Sequence, residues 1–459
     1  MAKYDVVIIG AGAAGLSAGA LLAKEGRSVL ILEAGPYVGG RGVALGDEGF
    51  KINLGGHLLE DSGSGITKVF EHVGRELVHG PASSDLVIWD GRWKSIRELY
   101  SADKQELKKV IDVLMETPYE DLDAWDDRPL REWMLQYTRH EGVIALWEFI
   151  TVLEAITENW WDHSASDNLY MRKIHYSERK IAAYSFWPGQ GWDGLFNDLH
   201  EAVIEHGGEV RVNAPVARVL IENEKVVGVA VAENRVLPNE IFEETLIEAD
   251  CVISTLPCWA VLRIVPEQHL PDWYVAQIRH ISQIEFRATW LGVYLATHEP
   301  VHAIDPRELA TWLHTPNVPH AGFFFNMSAM DPSVAPPGTQ LYVGGVDIPG
   351  EKVRDPKWML RTMEQFEADL VEMYPGLAGA HWRRRHLVHE PGLGIIQKPN
   401  LVGRFRPHWR APNVEGLYFA SDTFKSRGVG VDRAARAAVT VVEEYLGRRL
   451  ATFGDGWRY

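Results

Sequence analysis

The chain opens on a solid apolar block, Val6-Val7-Ile8-Ile9, the run expected of a strand buried on both faces. Small residues interrupt it at Gly10-Ala11-Gly12-Ala13-Ala14-Gly15. The pattern then changes to that of a helix, Leu16 to Lys24, and a second apolar run from Val29 to Leu32 ends at Glu33. A glycine-rich stretch, 35–56, follows. Residues 104 to 161 read mainly as helices, with Trp133, Leu135, Ile144, Leu146, Phe149, Ile150 and Leu153 at helical intervals. Strand patterns return near 209–212, 216–221, 226–231, 251–256, 289–295 and 340–346. A helix is expected over about 356–374, a strand over about 417–420 and a last helix over about 431–446.

Strand, Gly-x-Gly-x-x-Gly turn, helix, strand and acid, in that order, predict a βαβ unit that holds a dinucleotide. Gly10 makes the tight turn, Gly12 lets the backbone approach a pyrophosphate, and Gly15 lets the helix lie close to the strand. Ala14 stands in the first helical turn, whose free N–H groups and positive dipole end face the phosphates. Glu33, with Ala34 beside it, offers a carboxylate to a ribose diol and repels a 2′-phosphate, which argues against NADP. The stretch Val6 to Ala23 has no charged residue, yet its glycines and its switch from strand to helix set it apart from a membrane span or signal sequence.

Bulk properties narrow the class. A chain of 459 residues holds one large or two ordinary domains. Its formal charge of −17 argues against a nucleic-acid partner and against broad adhesion to anionic lipid, though not against a local apolar membrane contact. Cys251 and Cys258 lack metal-ligand spacing, so no metal is expected and a cytoplasmic setting fits best.

After Glu33 come Gly39-Gly40-Arg41 and then Gly49-Phe50-Lys51-Ile52-Asn53-Leu54-Gly55-Gly56-His57. These resemble the Glu-(six residues)-Gly-Gly-Arg and Gly-Phe-x-x-Asp-x-Gly-x-His segments of the flavin-containing amine oxidase and phytoene desaturase superfamily, with Asn53 in place of Asp. Gly416-Leu417-Tyr418-Phe419-Ala420-Ser421-Asp422, followed by Gly428-Val429-Gly430-Val431, is similar to that superfamily's closing segment, with Ser421 for glycine. Trp187-Pro188-Gly189-Gln190-Gly191 and Ala249 to Pro257 are further partial matches.

The resemblance implies FAD bound without a covalent link, since the Ser-Gly-Gly-Cys attachment element is missing. It places Arg41 at the pyrophosphate or ring edge, Asp422 at the ribityl or phosphate region, and the backbone of Val216 at adenine. It also puts the helix start at Gly430 and Val431 against the pyrimidine oxygen. The implied fold is α/β, a Rossmann-like FAD-binding domain interleaved with an α+β substrate domain. Expected boundaries are 1–95, 187–270 and 401–459 for the first domain, and 96–186 and 271–400 for the second.

For the reaction, the candidates beside the flavin are His57, able to orient substrate or relay a proton near neutral pH, and Arg287. Trp160, Trp161, Trp187, Trp192, Phe323, Phe324, Phe325 and Tyr342 are candidates to line an apolar pocket or to form core; Phe323 to Phe325 cannot all face one side of a strand. A lysine near N5 and an aromatic C-terminal motif are usual in the amine oxidases. Here the nearest segments carry Glu285 with Arg287, and Arg404-Phe405-Arg406-Pro407-His408-Trp409-Arg410.

The expectation is therefore a phytoene-desaturase-like oxidoreductase that moves hydride between an apolar small-molecule substrate and flavin N5, with oxygen or a quinone as candidate acceptors. Amine oxidation to an imine is the alternative. A non-redox binder of prenylated proteins is a third reading.

Overall fold

The computed structural model describes residues 3–60, 65–78, 80–81, 83–96, 98, 104–155, 160–177, 184–185, 192–232, 243–302 and 305–453. The partial motif at Trp187 to Gly191 lies outside them. β1 (Lys3–Ile9) is central to a seven-stranded sheet, pairing in parallel with β2 (Val29–Leu32) on one side and with Glu244–Ser254 on the other. Glu209–Arg211 adds beyond β2, and Leu417–Phe419 adds to the end of the Glu244–Ser254 strand, both in parallel. The antiparallel hairpin Val216–Glu222 and Lys225–Ala232 completes the sheet. Strands from the beginning, middle and end of the chain thus share one sheet.

Helices cover both faces of that sheet, which is why Val6 to Ile9 and Val29 to Leu32 are buried without alternation. One face carries α1 (Ala13–Lys24), Trp192–Glu205 and Gly430–Leu446. The other packs on residues 258–281, including Tyr274, Val275 and Ile278 of the helix Asp272–Ile281. That helix lies beyond residue 270, where the first domain was expected to hand over to the second.

The second sheet has eight strands and is almost wholly antiparallel. Its order is Trp382–His386, Arg287–Thr297, Gln340–Ile348, Gly322–Asn326, Leu309–Trp312, Leu86–Trp89 and Trp93–Ser95, with Gly394–Ile395 pairing at the start of the Arg287 strand. Leu86–Trp89 and Trp93–Ser95 come from the segment expected to belong to the nucleotide unit (1–95). They pair here because Leu309–Trp312 takes the 86–89 strand alongside it in parallel. The helix Pro356–Met373 covers one face of this sheet. The opposite face packs on Phe50 and Ile52 of the glycine-rich region. Alternation along Gly322–Asn326 sends Phe324 to the helix side and Phe323 and Phe325 to the other.

Five helices between residues 104 and 177 form a separate cluster around Trp133, Trp147 and Trp160. Trp160 there, Trp192 under the first sheet and Tyr342 under Pro356–Met373 are buried in these clusters.

Candidate active site

The turn between β1 and α1 is built by clearance. Gly10 sits at φ +100°, and a Cβ there would lie 2.6 Å from Thr255 Oγ1. At Gly15 a Cβ would lie 1.9 Å from the carbonyl oxygen of Gly10, so only glycine lets the helix come this close. No side chain caps α1 and no acid occupies its first turn, so the N–H groups around Gly12 to Gly15 are left for an outside anion. Glu33 closes the mouth of the turn. Its Oε2 accepts from the backbone N–H of Ala11 and its Oε1 from that of Gly35, each at 2.8 Å. Lone pairs remain on both oxygens for a diol. Ala34 is exposed beside it. The hairpin reaches the same edge: Ala214, two residues before Val216, donates to the carbonyl of Glu33 at 2.8 Å.

The glycine-rich loop folds back on this turn. Gly39 donates to the Ala11 carbonyl at 2.8 Å, and a Cβ on Gly40 would lie 3.2 Å from Gly12 Cα. Gly55 and Gly56 are equally confined, since a Cβ would lie 2.2 Å from the Arg41 carbonyl oxygen at the first and 3.0 Å from the Trp192 indole at the second. Asn53, which stands where an Asp was expected, still accepts a loop hydrogen bond, from the Trp192 N–H at 3.3 Å.

Arg41, expected at the pyrophosphate or ring edge, and Asp422, expected at the ribityl or phosphate region, are each other's partners: Nη1 meets Oδ2 at 3.0 Å and Nη2 bonds Oδ1. Arg41 also donates to the Leu393 carbonyl at 3.0 Å, on the loop leading into the second sheet. Burial alone would raise the Asp422 carboxyl; the positive charges of Arg41, Arg406 and Arg433 outweigh it and hold the group below its ordinary value. Ser421, the departure from glycine, turns its hydroxyl onto Asp422 Oδ1 at 3.1 Å. Gly430 opens the final helix at φ +52° and Val431 follows it, again with no side-chain cap.

His57 is packed among rings. Trp290 meets it edge-on at 5.1 Å, and Phe323 and Phe325 lie at 5.7 and 6.0 Å. Nδ1 faces the Gly55 carbonyl at 3.1 Å and Nε2 the Tyr294 hydroxyl at 3.2 Å. Burial takes its pKa down to about 3, against the hydrogen bond the ring donates to the Gly55 carbonyl. That burial disfavours the protonated ring through which a relay by His57 would pass. Arg287 is likewise engaged, donating to Glu390 and to the Ser282 carbonyl at 2.8 Å each and lying 4.8 Å over the Trp259 ring. It anchors the start of its strand instead of presenting a free cation to substrate.

Sequence reasoning missed a buried ion cluster behind Asp422. Arg406, Arg427 and Arg433 are all nearly inaccessible; Arg427 pairs with Asp126 and Asp167 of the helical segment, Arg433 with Asp167, and Arg406 donates to the carbonyls of Leu401 and Asp422. The signal was present: the arginine-rich 404–410 segment stood out because it replaced an aromatic motif.

A family model described as flavin containing amine oxidoreductase matches residues 13–446. The chain belongs to this family. It is an FAD-dependent oxidoreductase of the flavin amine oxidase fold. Its relatives span both expected chemistries. Prolycopene isomerase of Daucus carota is 23% identical, with 93% of this chain and 78% of the relative covered. L-amino-acid oxidase of Bungarus fasciatus is 25% identical over 60% of this chain and 55% of its own length. Among solved structures, an oxidoreductase from Methanosarcina mazei superimposes with TM-score 0.73 at 20% identity, covering 96% of this chain and all of that one. Putrescine oxidase bound to putrescine gives 0.66 at 17% identity, covering 97% of this chain and all of that one.

Among the described residues, no group of three or more His, Cys, Asp or Glu side chains could hold a metal ion. No helix there is long and apolar enough to cross a membrane.

Proposed function

We propose that the protein oxidises, desaturates or isomerises an uncharged, hydrophobic substrate, as a phytoene-desaturase-like member of its family. FAD is held without a covalent bond. The uncapped start of α1, with Gly10, Gly12, Ala14 and Gly15, suits the pyrophosphate, and Glu33 with Ala34 suits the ribose. Gly40, Arg41, Gly55, Gly56 and Asp422 suit the flavin half, with Gly430 and Val431 at its pyrimidine edge and Val216 at adenine. Bound there, the flavin supplies hydride acceptance at N5. The chain's own residues supply orientation and exclusion of water.

The observation that supports the substrate class is the buried aromatic cluster beside the glycine-rich loop, here called the wall. It consists of Trp290, Tyr294, Phe323, Phe325 and a His57 whose charged form burial disfavours. His386, stacked on Trp290 at 4.5 Å, is likewise held down by burial, to about 4. Such a wall favours apolar and conjugated chains over solvated ions. A cytoplasmic location, with the substrate drawn from a membrane by local apolar contact, fits this reading.

The test is anaerobic bleaching of the bound flavin against long-chain polyenes and terpenoids in parallel with primary and secondary amines. Reduction by the first group alone is expected. Reduction by amines alone would replace this proposal with amine oxidation.

A further inference from the structure

Behind Asp422 the structure assembles charges that neither binding of the nucleotide nor packing of the sheet requires. Asp167, in the first turn of Ala165–Ser177, is wholly buried. Its Oδ1 accepts from Arg427 Nη1 at 3.1 Å and its Oδ2 from Arg433 Nη2. Arg427 is also paired with Asp126, 2.8 Å away, and with Asp123. Arg406 donates to the carbonyl of Asp422. The charges alternate from Arg41 through Asp422, then Arg406 and Arg433, then Asp167 and Arg427, to Asp126 and Asp123. This path joins the glycine-rich loop to the helical segment.

Two features make it unusual. Arg433 stands in the first turn of Gly430–Leu446, the positive end of that helix, where a cation is unfavourable unless an anion is held against it. The Nε–H groups of Arg427 and Arg433 have no hydrogen-bond partner although both side chains are more than nine-tenths buried.

We propose that Asp167 is a positioning residue for the redox reaction: by holding Arg433, with Arg427 behind it, it sets how strongly the protein prefers reduced over oxidised flavin. This rests on the placement of the pyrimidine edge at Gly430 given above. A flavin that takes up two electrons and one proton gains a negative charge at that edge. A buried cation nearby stabilises it, with little screening in the low-dielectric interior. Asp167 offsets that cation, so removing the carboxylate charge strengthens the preference for reduced flavin and removing the arginine weakens it.

The experiment is a dye-linked reduction titration of the holoprotein at pH 7 for wild type, Asp167→Asn and Arg433→Gln. Asp167→Asn is expected to raise the reduced-over-oxidised affinity ratio about tenfold, roughly +30 mV for a two-electron couple. Arg433→Gln is expected to lower it by a similar factor. A purely structural role moves stability in the same direction for both and leaves the potentials together; shifts of the same sign, or none, overturn the proposal.

Asp123→Asn offers a gentler route to the same question, because that carboxylate is about one-third exposed and pairs with Arg427. A small upward shift is expected there, and none would count against the coupling. Failure of the underlying placement is separable: it appears as unaltered FAD affinity in Glu33 and Asp422 variants, not as unmoved potentials in a protein whose cofactor binding is otherwise as expected.

Discussion

Arg41 and Asp422, 381 positions apart in the chain, meet through two hydrogen bonds between guanidinium and carboxylate. One comes from the loop after β2 and the other from the turn after Leu417–Phe419. The pair therefore ties the beginning and end of the chain across the edge of the sheet where the strands finish. The two sides differ in exposure: the Arg41 side chain is 43% accessible and that of Asp422 only 10%. Water screens the arginine, whereas the carboxylate depends on its partners.

Asp422→Asn should lower unfolding stability by about 1–3 kcal/mol, the range for removing a partner from a partly buried charged hydrogen bond. FAD occupancy should fall with it. Thermal unfolding with and without added FAD checks both. An unchanged midpoint in the apoprotein would mean that the pair adds nothing to the fold.

Glu33→Arg should weaken FAD binding by about tenfold or more. The carboxylate holds the N–H groups of Ala11 and Gly35 together at the mouth of the turn, and a cation cannot accept from either. Glu33→Gln keeps one acceptor and should lose less. Equilibrium titration of the apoproteins, followed by flavin fluorescence, measures the order. Equal affinity in all three proteins would remove Glu33 from the site.

How much of this was legible beforehand follows from the range of each interaction. The βαβ unit was readable because its glycines answer to contacts within a few residues, such as Gly15 against the carbonyl of Gly10. The strands Arg287–Thr297 and Gln340–Ile348 were readable from their own apolar patterns. What could not be read was which group answers which across hundreds of positions. The fingerprint of Asp422 points to a cofactor but gives no sign of Arg41 as its partner. His57 illustrates the same limit: its neighbours in sequence are glycines, while the rings that keep it neutral come from Trp290, Phe323 and Phe325. Leu86–Trp89 was assigned to the wrong unit because strand partners follow from register, and its partner is Leu309–Trp312.

The protonation of His57 gives a signed pH dependence. Its pKa falls from the ordinary 6.5 to about 3 on folding, so between these values the unfolded chain binds the extra proton. The stability associated with a neutral His57 is complete above pH 6.5 and is lost as pH falls towards 3. The slope is about 1.4 kcal/mol per pH unit for this one group. His57→Gln should remove that share of the acid sensitivity and leave the shares of His386 and His302, each held down to about 4 by burial. Urea unfolding at pH 7 and 5.5 measures it. The pH profile of activity between 6 and 8 should keep its shape in the variant; a limb that vanishes there would identify His57 as a proton carrier.

The aromatic wall can be moved without touching the nucleotide half. Gly292 and Gly345 face each other across two paired strands, and the Trp290 indole lies against both. A Cβ at Gly345 would lie 2.4 Å from the Trp290 ring and 3.1 Å from Phe323. Gly345→Ala must therefore push the indole out of its notch, at a cost of about 1–3 kcal/mol for overpacking. Gly46→Ala is the control, since nothing lies within 4 Å of its Cβ position and its φ is not positive. If the wall recognises substrate, Gly345→Ala should raise KM for an apolar substrate several-fold while FAD affinity changes less than twofold, with Gly46→Ala near wild type in both. A KM unchanged despite the measured loss of stability would separate Trp290 from the substrate and leave it as packing alone.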